Sequence, residues 1–305
     1  MIALTKLREL TISAATGSMR PLYLSAASGL VCLNSILYVV ADDELHLGVF
    51  STDDDGPGHL VRLFKGALPE SKGPRKRQKP DLEALALLPA FRDFPHGALL
   101  ALGSGSRLNR RRGVLLGLDT QGVIQGSPRD VDLSSILVPL NEEFPEVNIE
   151  GAIVVGDELR LFQRGNKGHA DNAIIRFRLS PVLDALTAGG ADAIKPAAVN
   201  RLDLGVIEGI PFCFTDAASL PDGDMVFSAV AEDTDDAVHD GSCVGAAIGI
   251  VDNNGRLRSL RRLDRPYKIE GIHARSAGDR LELLLVTDAD NAKIPAMLFS
   301  ASIVK

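Results

Sequence analysis

Four short stretches of this chain place a glutamate after an extended run and before a small or apolar pair. They are Asp81-Leu82-Glu83-Ala84-Leu85, Asn148-Ile149-Glu150-Gly151-Ala152, Val206-Ile207-Glu208-Gly209-Ile210 and Lys268-Ile269-Glu270-Gly271-Ile272. Ala27-Ser28-Gly29-Leu30 has the same shape, with serine in the glutamate's place. The steps from 28 to 83, 150, 208 and 270 are 55, 67, 58 and 62 residues. Recurrence at such spacing marks a repeat architecture. An acid at one point of each unit brings several carboxylates together by symmetry. Such a place binds a cation or cannot stay ionised.

Each unit reads as a series of short strands. In the third, Ile149–Val155 leads through Gly156-Asp157 into Glu158–Gln163, then Asn172–Leu179 and Val199–Leu204. The other units put a turn at Asn34-Ser35, His96-Gly97, Asp222-Gly223 and Gly278-Asp279, each before a β-branched or leucine-rich run. Turn dipeptides between strand-type runs are hairpin signals. Four-stranded units around an axis describe an all-β, five-bladed β-propeller. The expected blades are residues 22–66, 80–133, 146–205, 206–264, and 267–305 completed by 4–12, forming one domain over 1–305. The N-terminal segment Leu4–Ile12 supplies the strand that the last blade lacks, which closes the ring and removes an exposed edge. Short peripheral helices are expected at Asp132–Leu140 and Ser180–Leu186, each opened by a capping residue. The run Lys72–Pro80 reads as a basic, turn-rich surface loop.

Bulk properties narrow the function classes. A formal charge of −7 argues against general nucleic-acid binding. No run approaches the roughly 18 apolar residues needed to cross a bilayer. Met1–Leu10 alternates charge and apolarity and lacks a hydrophobic signal core, so a cytoplasmic location and no membrane partner are expected. Three cysteines without metal-type spacing, Cys32, Cys213 and Cys243, fit small core residues in a reducing compartment. A monomer is expected.

In a propeller the first strand of each blade lines the channel, so Ser28, Glu83, Glu150, Glu208 and Glu270 are expected to ring its mouth. Anions confined there repel, and Ca²⁺ resolves the conflict because it accepts six to eight oxygens of mixed type. No His or Cys accompanies the ring, so zinc fits poorly. The loops after the second strands surround the same mouth. One carries Ser104, Ser106, Arg107, Arg110, Arg111 and Arg112, a composition suited to an anion. The next carries Arg164, Asn166, Lys167 and His169, a third is acidic over 232–240 and includes His239, and the fifth holds Asp288, Asp290, Asn291 and Lys293. These groups are the expected site for an anionic small molecule, with Glu150, His169, Arg107 and Arg164 as the catalytic candidates. His273, three residues beyond Glu270, is expected to face away from the channel and pack.

The order Ser28, Glu83, Glu150, Glu208, Glu270, ending in Lys-Ile-Glu-Gly-Ile, resembles the calcium-activated nucleotidase (apyrase) family of five-bladed propellers, and more broadly the phytase-like propellers. That resemblance implies Ser28, Glu83, Glu150 and Glu270 as ligands of one central Ca²⁺, and a Ca²⁺-dependent hydrolysis of phosphorylated small molecules. Glu208 falls where the family has serine. Three readings stay open at this point. One is a Ca²⁺-dependent phosphohydrolase in which arginines neutralise transition-state charge. Another is a non-catalytic anion- or protein-binding propeller with structural Ca²⁺, and the third is an ester or lactone hydrolase.

Overall fold

A computed structural model describes residues 1–13, 22–188, 192–235 and 241–305. In chain order, β1 (Thr5–Glu9) precedes the first blade, β2 (Ala27–Leu33), β3 (Ile36–Ala41), β4 (His46–Ser51) and β5 (His59–Arg62). A helix, α1 (Lys72–Gln78), leads into the second blade, β6 (Leu82–Leu88), β7 (Ala98–Gly103), β8 (Arg112–Leu118) and β9 (Ile124–Asp132). After α2 (Ser134–Leu137) comes the third, β10 (Ile149–Val155), β11 (Glu158–Gln163), β12 (Ala173–Arg178) and, past α3 (Leu179–Ala188), β13 (Ala198–Arg201). The fourth has five strands: β14 (Val206–Ile207), β15 (Ile210–Ser219), β16 (Met225–Glu232), β17 (Cys243–Val251) and β18 (Leu257–Arg262). The last is β19 (Ile269–Ala277), β20 (Arg280–Thr287) and β21 (Met297–Val304), with β1 paired antiparallel to β21. These five antiparallel sheets form a five-bladed propeller, and the N-terminal strand closes it as the pattern predicts.

Alternation along each strand explains why the blades stack. In β7, Ala98, Leu100 and Leu102 join the core shared with the third blade, while Leu99 and Ala101 join the core shared with the first. Successive side chains point to opposite faces of a sheet. A strand with a neighbour on each face therefore reads as a continuous apolar run. Repeated around the ring, this gives one apolar core at each blade interface, five in all. In the core between the third and fourth blades, Phe214 meets Phe162 and Phe227 edge-on, at centroid separations of 5.1 and 4.8 Å.

Two local expectations change. The basic run reads as a loop but contains about two helical turns, α1, whose residues are all at least partly exposed. Pro74 lies in its first turn, where an N–H has no intrahelical partner to lose, and Arg75, Lys76 and Arg77 stand where the helix dipole favours cations. The second change concerns Glu208. With Gly209 it forms the two-residue turn between β14 and β15, at φ +53° and +78°. Positive φ at both central residues is the hairpin geometry that right-twisted strands select. Glu208 is therefore exposed on a turn and not on the inner strand. Among the described residues, no helix is long and apolar enough to cross a membrane.

Candidate functional site

Every inner strand breaks register with its neighbour at one corresponding point. The break falls at Ser28-Gly29 in β2, Glu83 in β6, Glu150 in β10, Thr215 in β15 and Glu270 in β19. A bulge of this kind adds an unpaired residue and re-aims its side chain. The fourth blade's counterpart of the glutamates is thus Thr215, not Glu208. Its hydroxyl is buried and donates to Ser228 Oγ at 2.8 Å.

The residue two before each bulge lies on the same strand face. In three blades it is polar: Asp81, Asn148 and Lys268. Opposite these positions, just past the second strands, stand Asp42, Ser104, Arg164 and Asp288. Their N–H groups donate to the carbonyls of Ala26, Asp81, Asn148 and Lys268 at 3.1, 3.0, 2.9 and 3.1 Å. The fourth blade reaches the same place with Glu232, from the end of β16. Asp42, Arg164, Glu232 and Asp288, with Asp81, Asn148, Lys268, Ser28 and the three inner-strand glutamates, line an axial cavity of about 80 Å³ at one mouth of the channel.

Its charge is lopsided. Asp42, Asp81, Glu83, Glu150, Glu232, Glu270, Asp288 and Asp290 are eight acids, facing the five cations Lys76, Lys79, Arg110, Arg164 and Lys268, a formal excess of −3. Arg164 forks across three blades: Nη1 lies 3.2 Å from Glu150 Oε2 and 3.5 Å from Glu270 Oε1, and Nη2 donates to Glu232. Lys268 Nζ adds contacts of 3.5 Å to Glu232, 3.6 Å to Glu270 and 2.6 Å to Asp290. On the other side Lys79 Nζ pairs with Asp42 and lies 2.9 Å from Asp81 Oδ1. Arg110, 2 % exposed, places Nη1 2.7 Å from Asp81 Oδ2. Ser104 Oγ donates to the same Asp81 oxygen at 2.6 Å. Asp81 holds this position at φ +58°, a left-handed backbone that costs energy for a residue other than glycine and clusters at functional sites.

Burial and crowding move the acids. Burial, then the charges of Glu150, Asp81 and Asp42, push Glu83 well above the usual carboxylate range. Glu150 and Glu270 are raised by burial against the pull of Arg164. Asp288 is pushed up to about 8, by burial first and by Asp42 next. Burial alone would lower Arg164, but Glu150, Glu270 and Glu232 outweigh it and hold the guanidinium charged. Beneath the cavity Asp216, beside Thr215, is raised by burial although it accepts the Ile272 N–H at 2.9 Å.

The rim differs from the arginine-rich one that composition suggests. Arg110 folds inward as a structural counter-ion, donating also to Ser106 Oγ at 3.0 Å and to the Lys76 carbonyl at 3.1 Å. Arg112 turns outward, 2.7 Å from Asp130 and 4.7 Å above the Phe64 ring. Arg107 and Arg111 are half-buried beside the turn Leu108–Arg110, outside the cavity lining. Asn166 lines the cavity and donates to Glu146 at 2.9 Å, while Lys167 is exposed and pairs with Asp233 at 2.8 Å. His169 is exposed on the same loop, its N–H bound to Asn166 Oδ1 at 2.7 Å. His239 lies outside the described residues. His273, expected to face away from the channel, instead lines its opposite, apolar end, where burial lowers its pKa. Of the expected site residues, then, the cavity gathers Ser28, Glu83, Glu150, Glu270, Arg110, Arg164, Asn166, Glu232, Asp288 and Asp290, and Ser104 and Ser106 support it from behind.

A model of the family described as "Family of unknown function (DUF6929)" matches residues 23–303. The chain belongs to that family. No curated protein matches it. Solved structures similar to the DUF6929 chain include a putative glycosidase from Bacteroides thetaiotaomicron, at 10% identity over 97% of this chain and 96% of that one, TM-score 0.49. A hypothetical protein from Leishmania major is 11% identical over 99% and 91%, TM-score 0.47. An alpha-L-arabinanase from Penicillium chrysogenum, complexed with arabinobiose, is 10% identical over 98% of each chain, TM-score 0.45.

Proposed function

We propose that the axial cavity of this DUF6929 propeller binds Ca²⁺ and that the protein is a Ca²⁺-dependent hydrolase of small esters or lactones. The observation that carries the cation is the acid excess, together with its location. One oxygen each of Asp42, Asp81 and Glu83 lies within 4.8 Å of the others. An ion 2.3–2.6 Å from each ligand, roughly the Ca²⁺ range, spans such a gap. Among the residues lining the cavity none is His or Cys, so the donors are hard oxygens, which suit Ca²⁺ and not zinc. Ser28 shares the cavity as a further oxygen. Within the ring that resembles the nucleotidases, the ion belongs with Glu83 and its neighbours, because Glu150 and Glu270 are already served by Arg164.

Bound there, Ca²⁺ would supply Lewis acidity toward a carbonyl or phosphoryl oxygen. Glu150, raised by burial and hydrogen-bonded by Arg164, is the group placed to take a proton. Arg164 keeps Glu150, Glu232 and Glu270 in register. Charge decides between substrates. Lys79, Arg110, Arg164 and Lys268 are all ion-paired with carboxylates, and the formal excess of −3 outweighs the +2 of a bound ion, so the cavity still offers a phosphate a net negative wall. An uncharged ester or lactone meets no such repulsion, and this favours it over the phosphorylated substrate that the nucleotidase resemblance implies.

The test is calorimetric titration with CaCl₂, followed by assays on p-nitrophenyl esters, lactones and p-nitrophenyl phosphate with Ca²⁺ and with chelator. The expected result is one Ca²⁺ per chain, weakened about 100-fold or more by Glu83→Gln, and chelator-sensitive ester or lactone turnover. Turnover on phosphate esters alone would restore the phosphohydrolase. Ca²⁺ binding without any turnover would leave a structural ion.

A further inference from the structure

Lys79 is 7 % exposed, and its ammonium occupies the cradle where two of the three clustered carboxylates meet. We propose that Lys79 is the resident counter-ion of the oxygen site, and that a divalent cation binds by displacing its ammonium and loosening α1 from the cavity mouth. The proposal rests on the reading of Asp42, Asp81 and Glu83 as a Ca²⁺ site. One carboxylate outside that cluster is incompletely satisfied in the same cavity: Glu270, 5 % exposed, accepts no hydrogen bond at Oε1 and has only the longer ion pairs to Arg164 and Lys268 there, at 3.5 and 3.6 Å.

The two cations cannot share the cradle. A +1 and a +2 charge held on the same few oxygens repel strongly where water is scarce. Of the cavity's cations Lys79 is the one suited to leave, because an ammonium is a point charge on a flexible four-carbon stem. The Arg164 guanidinium is a rigid fork with carboxylate partners on three blades.

Departure of Lys79 has a structural consequence. Lys79 directly follows α1, and its N–H donates to the Arg75 carbonyl at 2.9 Å. No residue of α1 is buried, so polar contacts hold the helix down. They include Arg75 to Asp43, with Nη2 2.5 Å from its carbonyl and Nε 3.3 Å from Oδ2, Arg75 to Glu44 at 3.8 Å, Arg110 to the Lys76 carbonyl, and Asn109 to the Lys79 carbonyl at 2.8 Å. Removing the Lys79 side-chain anchor leaves the hydrogen bonds from Arg110 and Asn109 and weakens the hold on the C-terminal end of this helix. It forms one wall of a second cavity of about 310 Å³, which shares Asp42, Lys76, Lys79, Asp288 and Asp290 with the axial one. Loosening α1 therefore widens the approach to the ion.

The experiment combines calorimetric titration with CaCl₂ and hydrogen exchange of the 72–79 segment in the wild type, Lys79→Met and Lys79→Arg. Ca²⁺ should speed exchange of that segment in the wild type. Lys79→Met should bind Ca²⁺ about tenfold tighter or more, with its segment exchanging fast already and Ca²⁺ adding nothing. Lys79→Arg, whose fork leaves the cradle less readily, should bind Ca²⁺ more weakly than the wild type and blunt the effect on the segment. The Met variant removes the lysine's charge from Asp42 and Asp81 and leaves only Arg110 on Asp81, so without metal the cradle is less compensated and the melting temperature should gain more from CaCl₂ than the wild type's does. Equal or weaker binding by Lys79→Met, or a wild-type segment unmoved by bound Ca²⁺, overturns the proposal. No Ca²⁺ binding by either protein overturns the oxygen site itself.

Discussion

The axial cavity has two halves built from similar residues and neutralised differently. On the side of the third to fifth blades, Glu150, Glu232 and Glu270 share one buried guanidinium, with Lys268 beside it. On the side of the first and second, Lys79 bridges Asp42 and Asp81, Arg110 holds the other oxygen of Asp81, and Glu83 lies beside them, raised by burial and then by its neighbours' charge. A fixed, forked cation makes acids into architecture, whereas a mobile one leaves them able to exchange partners. Arg164→Met tests the first half, and it should have the largest effect of all. Breaking a buried ion pair by removing one partner costs about 3–5 kcal/mol, read here by urea denaturation. CaCl₂ should recover only a minor part of the loss. Full recovery would mean that the ion serves both halves alike, and the comparison would break.

The fold was legible because the propeller's demands are local. Hairpin dipeptides, apolar runs buried on both faces and a spare N-terminal strand each predict their element without reference to the others. The inner ring was four-fifths legible for the same reason, since Ser28, Glu83, Glu150 and Glu270 sit at bulges inside strands. Glu208 misled because Glu-Gly also suits a tight hairpin turn, and nothing in five residues separates a turn from a bulge. The counterpart, Thr215, lies in Phe214-Thr215-Asp216, where aspartate replaces the glycine or alanine of the other motifs. A missed signal was available at the positions two before the bulges, where Asp81, Asn148 and Lys268 share the glutamates' face. The fate of the arginines was not legible. Whether Arg110 turns in to Asp81 or Arg112 turns out to Asp130 depends on partners 29 and 18 residues away.

A smaller effect, and a sharper one, comes from pH. Glu83, Glu150, Glu270, Asp216 and Asp288 are all raised in the folded protein, Asp288 from 3.8 to about 8. For such acids the folded state holds more protons than the unfolded chain between the two values. Their stabilisation is complete below the unfolded pKa and is lost as pH rises through the folded one. Glu158, lowered by Arg176 and Arg160 against its burial, works the opposite way and loses its contribution only as pH falls toward its folded value. Chelated protein should therefore lose at least about 2 kcal/mol between pH 6 and 8, the share of Asp288 alone, measured by thermal or urea unfolding. Saturating Ca²⁺ should flatten the profile. A chelated profile that is flat or rising over that range would show the acid excess to be fully compensated, and the two halves would then be equivalent.

The smallest expected effect separates the ring as spacing predicts it from the ring as the strands build it. Glu208→Gln keeps the turn's shape and removes one exposed charge, so stability should stay within about 0.5 kcal/mol of the wild type and Ca²⁺ affinity should not change. Glu208→Asn should be neutral or gain a few tenths of a kcal/mol, because Asn-Gly suits positive φ at both turn positions better than Glu-Gly does. Glu150→Gln, from the true inner ring, should unbalance Arg164 and shift the unfolding curve visibly in the same titration. Loss of Ca²⁺ affinity in Glu208→Gln would require that side chain to reach the axis from the far side of a two-residue turn. The pairing of Ile207 with Ile210 leaves it no path to do so while β14 and β15 stay joined.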